Sequence, residues 1–188
     1  ALVIGNGAYR HVSLLANPLN DANDVAESLG RLGFSVRRVT DGGYEDMRRA
    51  LLDLNRSARG AEMAVVYFAG HGIEVEVDGV RKCVLLGNDA VASIADQTGI
   101  PLSFIIERLS RCRASQKILI LDACHSGAGR QAGDRGILTE ATLRALNAAR
   151  GIVTLAACDA DERSHEWDEK GHGAFTFFFL EALGGAAD

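Results

Sequence analysis

Two short segments carry the residue types that nucleophilic chemistry needs. One reads Phe68-Ala69-Gly70-His71-Gly72, the other Leu121-Asp122-Ala123-Cys124-His125-Ser126-Gly127. A thiol becomes an effective nucleophile near neutral pH only when a base stands beside it to take its proton. His71 and Cys124, 53 residues apart in the chain, are such a pair if the fold brings them together. The surrounding glycines let a substrate backbone approach, and the N–H groups of Gly72 and Cys124 are then placed to line an oxyanion hole. Taken singly, each residue has a plainer explanation. A buried cysteine packs as a small hydrophobe, and a lone histidine is commonly a satisfied polar group. Their joint occurrence after two buried apolar runs is what points to chemistry. His125 adjoins Cys124 and is expected to point elsewhere. His11, His165 and His172 lack that context, and His165 reads as solvated.

Positioning such a pair requires parallel strands whose carboxyl ends meet on one edge of a sheet. The hydrophobic pattern predicts such a sheet. Leu2-Val3-Ile4 opens as a strand, and a polar loop with Pro18 follows. Ala22, Val25, Ala26 and Leu29 then recur at helical spacing up to Gly33. A strand is expected over 34–39 and a helix through Met47, Ala50, Leu51 and Leu54. Met63 to Ala69 is continuously apolar, as expected of a strand covered on both faces. Val75, Val77, Val84 and Leu86 around Asp78-Gly79 suggest a hairpin. Pro101 opens a helix through Leu109, Lys117 to Asp122 is another strand, and a glycine-rich stretch runs from Gly127 to Gly136. A helix near 138–148, a strand over 152–157 and an amphipathic helix through Phe175, Phe178, Phe179, Ala182 and Leu183 complete the chain. Alternating strands and helices make the fold class α/β with a mostly parallel central sheet flanked by helices.

The chain has 188 residues, 20 Lys+Arg against 25 Asp+Glu, and a formal charge of -5. That length is one domain, able to bury roughly 70% of its unfolded surface without staples. At 47% hydrophobic and 24% charged it is a globular composition rather than a disordered one. No basic stripe marks a nucleic-acid binder, and no apolar run reaches the ~18 residues of a membrane span. The four cysteines, Cys83, Cys112, Cys124 and Cys158, form no CxxC pair, so neither a zinc site nor a disulfide framework is expected. Free thiols suit a reducing compartment, which makes the cytoplasm the expected location. The chain opens at Ala1 inside a strand, with no signal-peptide pattern, and reads as a single domain, 1–188, cut from a longer protein.

The ordered set of motifs resembles the caspase-like cysteine peptidase superfamily, and within it the bacterial metacaspase or orthocaspase branch. The matching segments are Ala1-Leu2-Val3-Ile4-Gly5-Asn6, Asn17-Pro18-Leu19-Asn20-Asp21-Ala22, Tyr67-Phe68-Ala69-Gly70-His71-Gly72, Asp122-Ala123-Cys124-His125-Ser126-Gly127 and Gly171-His172-Gly173-Ala174-Phe175-Thr176. Caspases carry Q-A-C-[RQG]-G with a histidine about 50 residues upstream. The resemblance implies a caspase-like fold and endopeptidase activity through a Cys124/His71 dyad.

The departure from true caspases bears on specificity. Asp122 stands where caspases have glutamine, and metacaspases are similar in carrying this aspartate together with one that matches Asp21. Two carboxylates converging on a guanidinium form a charge-assisted, bidentate pair. The resemblance therefore implies cleavage after Arg, with Lys second, in a protein or peptide substrate. Helix capping is the plainer role for Asp21, and a strand-end turn the plainer role for Asp122. Ala157 to Glu166 loosely resembles a stretch bordering the same pocket, which adds Cys158 and Asp161 as border residues. Many metacaspases have serine at the position of Ala69, so one polar contact is absent here. Calcium activates many metacaspases, and Asp78, Asp89, Asp96 and Asp134 form no recognisable ligand run, so the sequence assigns no certain cofactor and calcium activation stays open. Gly127 to Gly136 is polar and glycine-rich, expected to be exposed, and contains Arg130 and Arg135 as sites of self-cleavage. Metacaspases are typically monomeric, which sets the expected oligomeric state. Two other readings stay open: an inactive caspase-like scaffold that binds a partner, and another cysteine peptidase of the gingipain or separase kind.

Overall fold

A computed structural model describes residues 1–125, 146, 149, 151–157 and 166–185, with 124, 125, 166 and 168 described in backbone only. The central sheet grows outward from β3 (Met63–Val77). β1 (Leu2–Gly5) lies parallel on one side of it, followed by β2 (Arg37–Thr40). β6 (Gln116–His125) lies parallel on the other side, followed by β7 (Val153–Ala156). β4 (Val80–Leu86) folds back antiparallel on the second half of β3, and β5 (Gly99–Pro101) pairs with β4. Gly72 has both Leu85 and His125 as partners, so β4 occupies the side that β1 leaves at Ala69. Asn6 seals this junction. Its N–H donates to the Ala69 carbonyl (3.0 Å), its Nδ2 to the Leu86 carbonyl (3.0 Å), and its Oδ1 accepts from Gly42 N–H (3.0 Å).

The helices cover the two faces as the alternation of strand side chains dictates. Leu2, Ile4, Val66, Phe68, Leu119 and Leu121 pack under α2 (Tyr44–Ser57) and α4 (Leu102–Ser110) through Met47, Leu51, Leu54, Ile105 and Leu109. A single turn, α3 (Ala95–Thr98), precedes β5. Val3, Val65, Tyr67, Ala69 and Ile120 make the opposite face. They pack under α1 (Pro18–Arg31) and α5 (Ala174–Leu183) through Ala22, Val25, Leu29, Phe175 and Phe179. Burying each large aliphatic side chain contributes about 1.5–3 kcal/mol, so the two-sided strands β1, β3 and β6 hold the frame on which the site is built.

The α/β class and the mostly parallel sheet flanked by helices are as expected from the sequence. Three local differences have physical reasons. β3 does not end at Ala69 but runs through His71 to Val77, because the hairpin at Asp78 and Gly79, both at positive φ (54° and 73°), returns β4 alongside it. β2 begins at Arg37 rather than Phe34; Phe34 and Val36 instead pack against the α1 side of the core. A two-stranded hairpin, β8 (Glu166–Trp167) with β9 (His172–Gly173), precedes α5 and has too few residues for a periodic signal. The helix expected near 138–148 lies outside the described residues except at Leu146.

Candidate active site

The register of β3 and β6 brings the two singled-out segments together. His71 and Cys124 are Cα partners, as are Ala69 with Asp122 and Gly72 with His125. Residues two apart on a strand share a face of the pleat. Tyr67, Ala69 and His71 on β3, and Ile120 and Asp122 on β6, therefore share one face of the sheet, and Tyr67, Ala69 and Ile120 pack there against α1 and α5.

His71 is buried, with 2% of its surface exposed. Its Nε2 lies 2.8 Å from the Ser13 carbonyl oxygen and 3.3 Å from Ser13 Oγ. A carbonyl only accepts, so Nε2 carries a proton, and in the neutral ring the lone pair is on Nδ1. The Tyr9 ring packs on the imidazole, with centroids 4.7 Å apart, and its hydroxyl accepts from His71 N–H at 2.7 Å. Gly70 makes that approach possible. Its φ is +151°, and a Cβ there would lie 2.6 Å from the Tyr9 hydroxyl. The loop that supplies Tyr9 and Ser13 is tied down. Asp41 accepts from Gly7 and Ala8 N–H at 2.8 Å each, and Leu15 N–H donates to the Gly7 carbonyl (3.1 Å). Gly72 sits inside the sheet between β4 and β6, adjacent to His71 and one register step from Cys124.

Asp21 and Asp122 are 2% and 3% exposed, and both carboxylates converge on Gly173. A Cβ there would lie 2.8 Å from Asp122 Oδ2 and 3.4 Å from Asp21 Oδ2, so only glycine leaves room for them. Gly173 N–H donates to both oxygens of Asp21 at 3.2 Å, and His172 Nδ1 lies 2.7 Å from Asp21 Oδ1. Asp21 does not cap its helix: α1 has Asn17 at its N-cap with no side-chain cap bond, and the Asp21 carboxylate turns toward β9. Thr176 Oγ1 donates to Asp122 Oδ2 at 2.6 Å and stands 2.6 Å from the Tyr67 hydroxyl. With the threonine proton on Asp122, the tyrosine proton points to the threonine, and Asp122 is held from behind by a two-hydroxyl chain.

Burial, reinforced by the nearby Asp122 charge, pushes the Asp21 carboxyl up to about 7, against the opposing bonds from His172 and Gly173. Its folded value is thus above its unfolded value near 3.8. The stability this group contributes is full below the unfolded value and is lost as pH rises through about 7. Asp21→Asn is therefore expected to be more stable than the wild type at pH 8, by about 1 kcal/mol or more and a few degrees in Tm. The advantage shrinks as pH falls toward 4. Thermal melts across that range check this, and a variant less stable than wild type at pH 8 contradicts it.

The remaining described cysteines lie elsewhere. Cys83 and Cys112 are buried, and burial pushes the Cys83 thiol up to about 12 and the Cys112 thiol up as well. Neither favours a thiolate. Cys158, Asp161, His165, Arg130 and Arg135 lie outside the described residues. Among the described residues, no group of three His, Cys, Asp or Glu could hold a metal. Of the aspartates considered for calcium, Asp134 lies outside the described residues. A cavity of about 590 Å³ opens at the opposite end of the sheet, between Ala1, Phe34, Leu54, Met63 and Gln116, and contains none of the candidate residues. No described helix is long and apolar enough to cross a membrane.

The model of the caspase domain matches residues 1–188. The chain belongs to the caspase-domain family. Comparison with curated proteins found no match. Family membership makes this caspase domain a hydrolase of the cysteine peptidase type. Three residues that pack around the acidic pair in this caspase domain went unassigned in the sequence: Tyr67, His172 and Thr176. His172 and Thr176 belong to the Gly171–Thr176 motif already matched to the superfamily, which is the signal that could have found them.

Proposed function

We propose that this caspase domain is an Arg-directed cysteine endopeptidase of the metacaspase kind, with Lys as second choice at P1. The observation that carries the reading is the pair of buried carboxylates that converge on Gly173, Asp21 on α1 and Asp122 on β6, the latter one pleat repeat from the position paired with His71. Buried carboxylates repel an acidic P1 side chain and hold a guanidinium by two charge-assisted contacts.

In this mechanism His71, held by the Ser13 carbonyl, takes the Cys124 thiol proton, and the thiolate attacks the scissile carbonyl. The oxyanion is received by the N–H groups of Gly72 and Cys124. The imidazolium returns its proton to the departing amine, which leaves a thioester on Cys124. Water, deprotonated by His71, then releases the acid and restores the thiol. The enzyme acts as a monomer on protein or peptide substrates, in a reducing cytoplasm that keeps the thiol available, and nucleic acid and membrane play no part. Cys158 and Asp161 border the pocket in this reading.

Two fluorogenic peptides that differ only in Arg or Asp at P1 test the specificity. Cleavage of the Arg peptide alone is expected, and preferential cleavage of the Asp peptide overturns the reading. The same specificity predicts self-cleavage after Arg130 or Arg135, giving fragments that begin at Gln131 or Gly136. N-terminal sequencing of wild-type and Cys124→Ala protein checks it. Nicking in the wild type only is expected. Identical nicking in both, or a fully active wild type that stays intact, contradicts it.

A further inference from the structure

One short stretch of chain grips both carboxylates of the acidic pair. At the junction of β9 and α5, Gly173 N–H donates to both oxygens of Asp21 at 3.2 Å, and three residues later Thr176 Oγ1 donates to Asp122 Oδ2 at 2.6 Å. Thr176 is fully buried, and so is Tyr67, whose hydroxyl lies 2.6 Å from the same Oγ1. The Tyr67–Thr176–Asp122 chain thus ties β3, α5 and β6 together. The Cα partner of Asp122 on β3 is Ala69, which has only a methyl to offer. An aspartate carboxylate turns about a broad terminal torsion. A bond this short, to a buried hydroxyl that is itself held, fixes the plane of its oxygens, whichever partner carries the proton. Thr176 is β-branched and sits in the first turn of α5, so its hydroxyl is confined to few rotamers.

We propose that Thr176 is a positioning residue that determines specificity: its hydroxyl sets the plane of the Asp122 carboxylate, and that plane makes the pocket choose Arg over Lys. The inference rests on the Arg-pocket reading and adds the residue that ranks the two basic side chains. A guanidinium is a planar fork that needs two acceptor oxygens in its own plane. An ammonium is a compact point charge with three rotatable donors. Turning the Asp122 carboxylate out of plane therefore breaks the bidentate contact with Arg and leaves the attraction for Lys largely intact. The charge of the two carboxylates around Gly173 draws in either cation, and the plane ranks them. Thr176 acts from behind Asp122, through the carboxylate, without itself being asked to touch the substrate.

Three fluorogenic peptides that differ only in Arg, Lys or an uncharged residue at P1 read this role. Thr176→Val keeps the branched shape and drops the hydroxyl. In that variant kcat/KM is expected to fall about tenfold for the Arg peptide and about twofold for the Lys peptide, so the Arg-to-Lys ratio falls about fivefold. Cleavage of the uncharged peptide is expected to stay at the wild-type rate. Thr176→Ser is expected to restore most of the ratio. Tyr67→Phe, which removes the hydroxyl behind Thr176, is expected to lower the ratio by about twofold, and it decides the matter if Thr176→Val does not fold. An unchanged ratio in the variant that decides, or an equal loss on all three peptides, overturns the proposal while leaving the acidic pocket in place. A wild type that cleaves the uncharged peptide as fast as the basic ones overturns the pocket reading, and the role of Thr176 with it.

Discussion

Cys124→Ala is expected to lower turnover of an Arg peptide by roughly a thousandfold or more, with a thermal melt close to that of the wild type. The size follows from what is lost: the nucleophile has no substitute among the described cysteines, since Cys83 and Cys112 are buried and burial raises both thiols. His71→Ala falls nearly as far. The two substitutions combined are no worse than either alone, because base and nucleophile act as one unit. A truncation at His71 also vacates the contacts to Ser13 and Tyr9, so its melt should be compared with that of His71→Gln, which retains more of the side-chain volume. Steady-state kinetics of the three variants check the expectation. If alkylation of Cys158, Cys112 or Cys83 tracks with inactivation instead, the assignment of Cys124 is wrong.

Asp122→Ala and Asp21→Ala are expected to have the second largest effect, and a selective one. Truncating one member of a buried charge-assisted contact costs about 2–5 kcal/mol, which is roughly thirtyfold to several thousandfold in kcat/KM for an Arg substrate. Asp122 is supported by Thr176 and Tyr67 from behind, so its loss removes an oriented acceptor rather than a diffuse charge. Asp21 lies beside it across Gly173. For both variants the fall should be much smaller on a peptide with an uncharged P1 residue, because the nucleophile and base are untouched. Full-rate cleavage of Arg substrates by Asp122→Ala would remove that residue from the pocket.

The frame was readable because its signals are local. The apolar runs at 63–69 and 118–121, each leading within three residues to a reactive side chain, predict two buried strands, and the register pairs His71 with Cys124. The course of β3 past Ala69 was harder to read, since Gly70 and Gly72 look like punctuation. Gly70 stands inside the strand because Tyr9 approaches too closely for any side chain. The acidic pair was legible through its resemblance to metacaspases, and the structure gives Asp21 a contact set different from helix capping. His172 was not legible. Its bond to Asp21 joins residues 151 apart in sequence, and no periodicity or spacing reports a contact made by a two-residue strand packing on a helix. Thr176 was missed for a related reason: it reads as one residue of an aromatic-rich helix until the Tyr67 and Asp122 contacts are seen.

Labelling with an Arg-terminated peptidyl chloromethyl ketone, followed by mass spectrometric mapping, tests nucleophile, base and pocket together. The account predicts a single stoichiometric adduct on Cys124, lost or strongly slowed in His71→Ala and in Asp122→Ala, and no labelling by the Asp-terminated analogue. An adduct on a different cysteine, or faster labelling by the Asp reagent than by the Arg reagent, would contradict it.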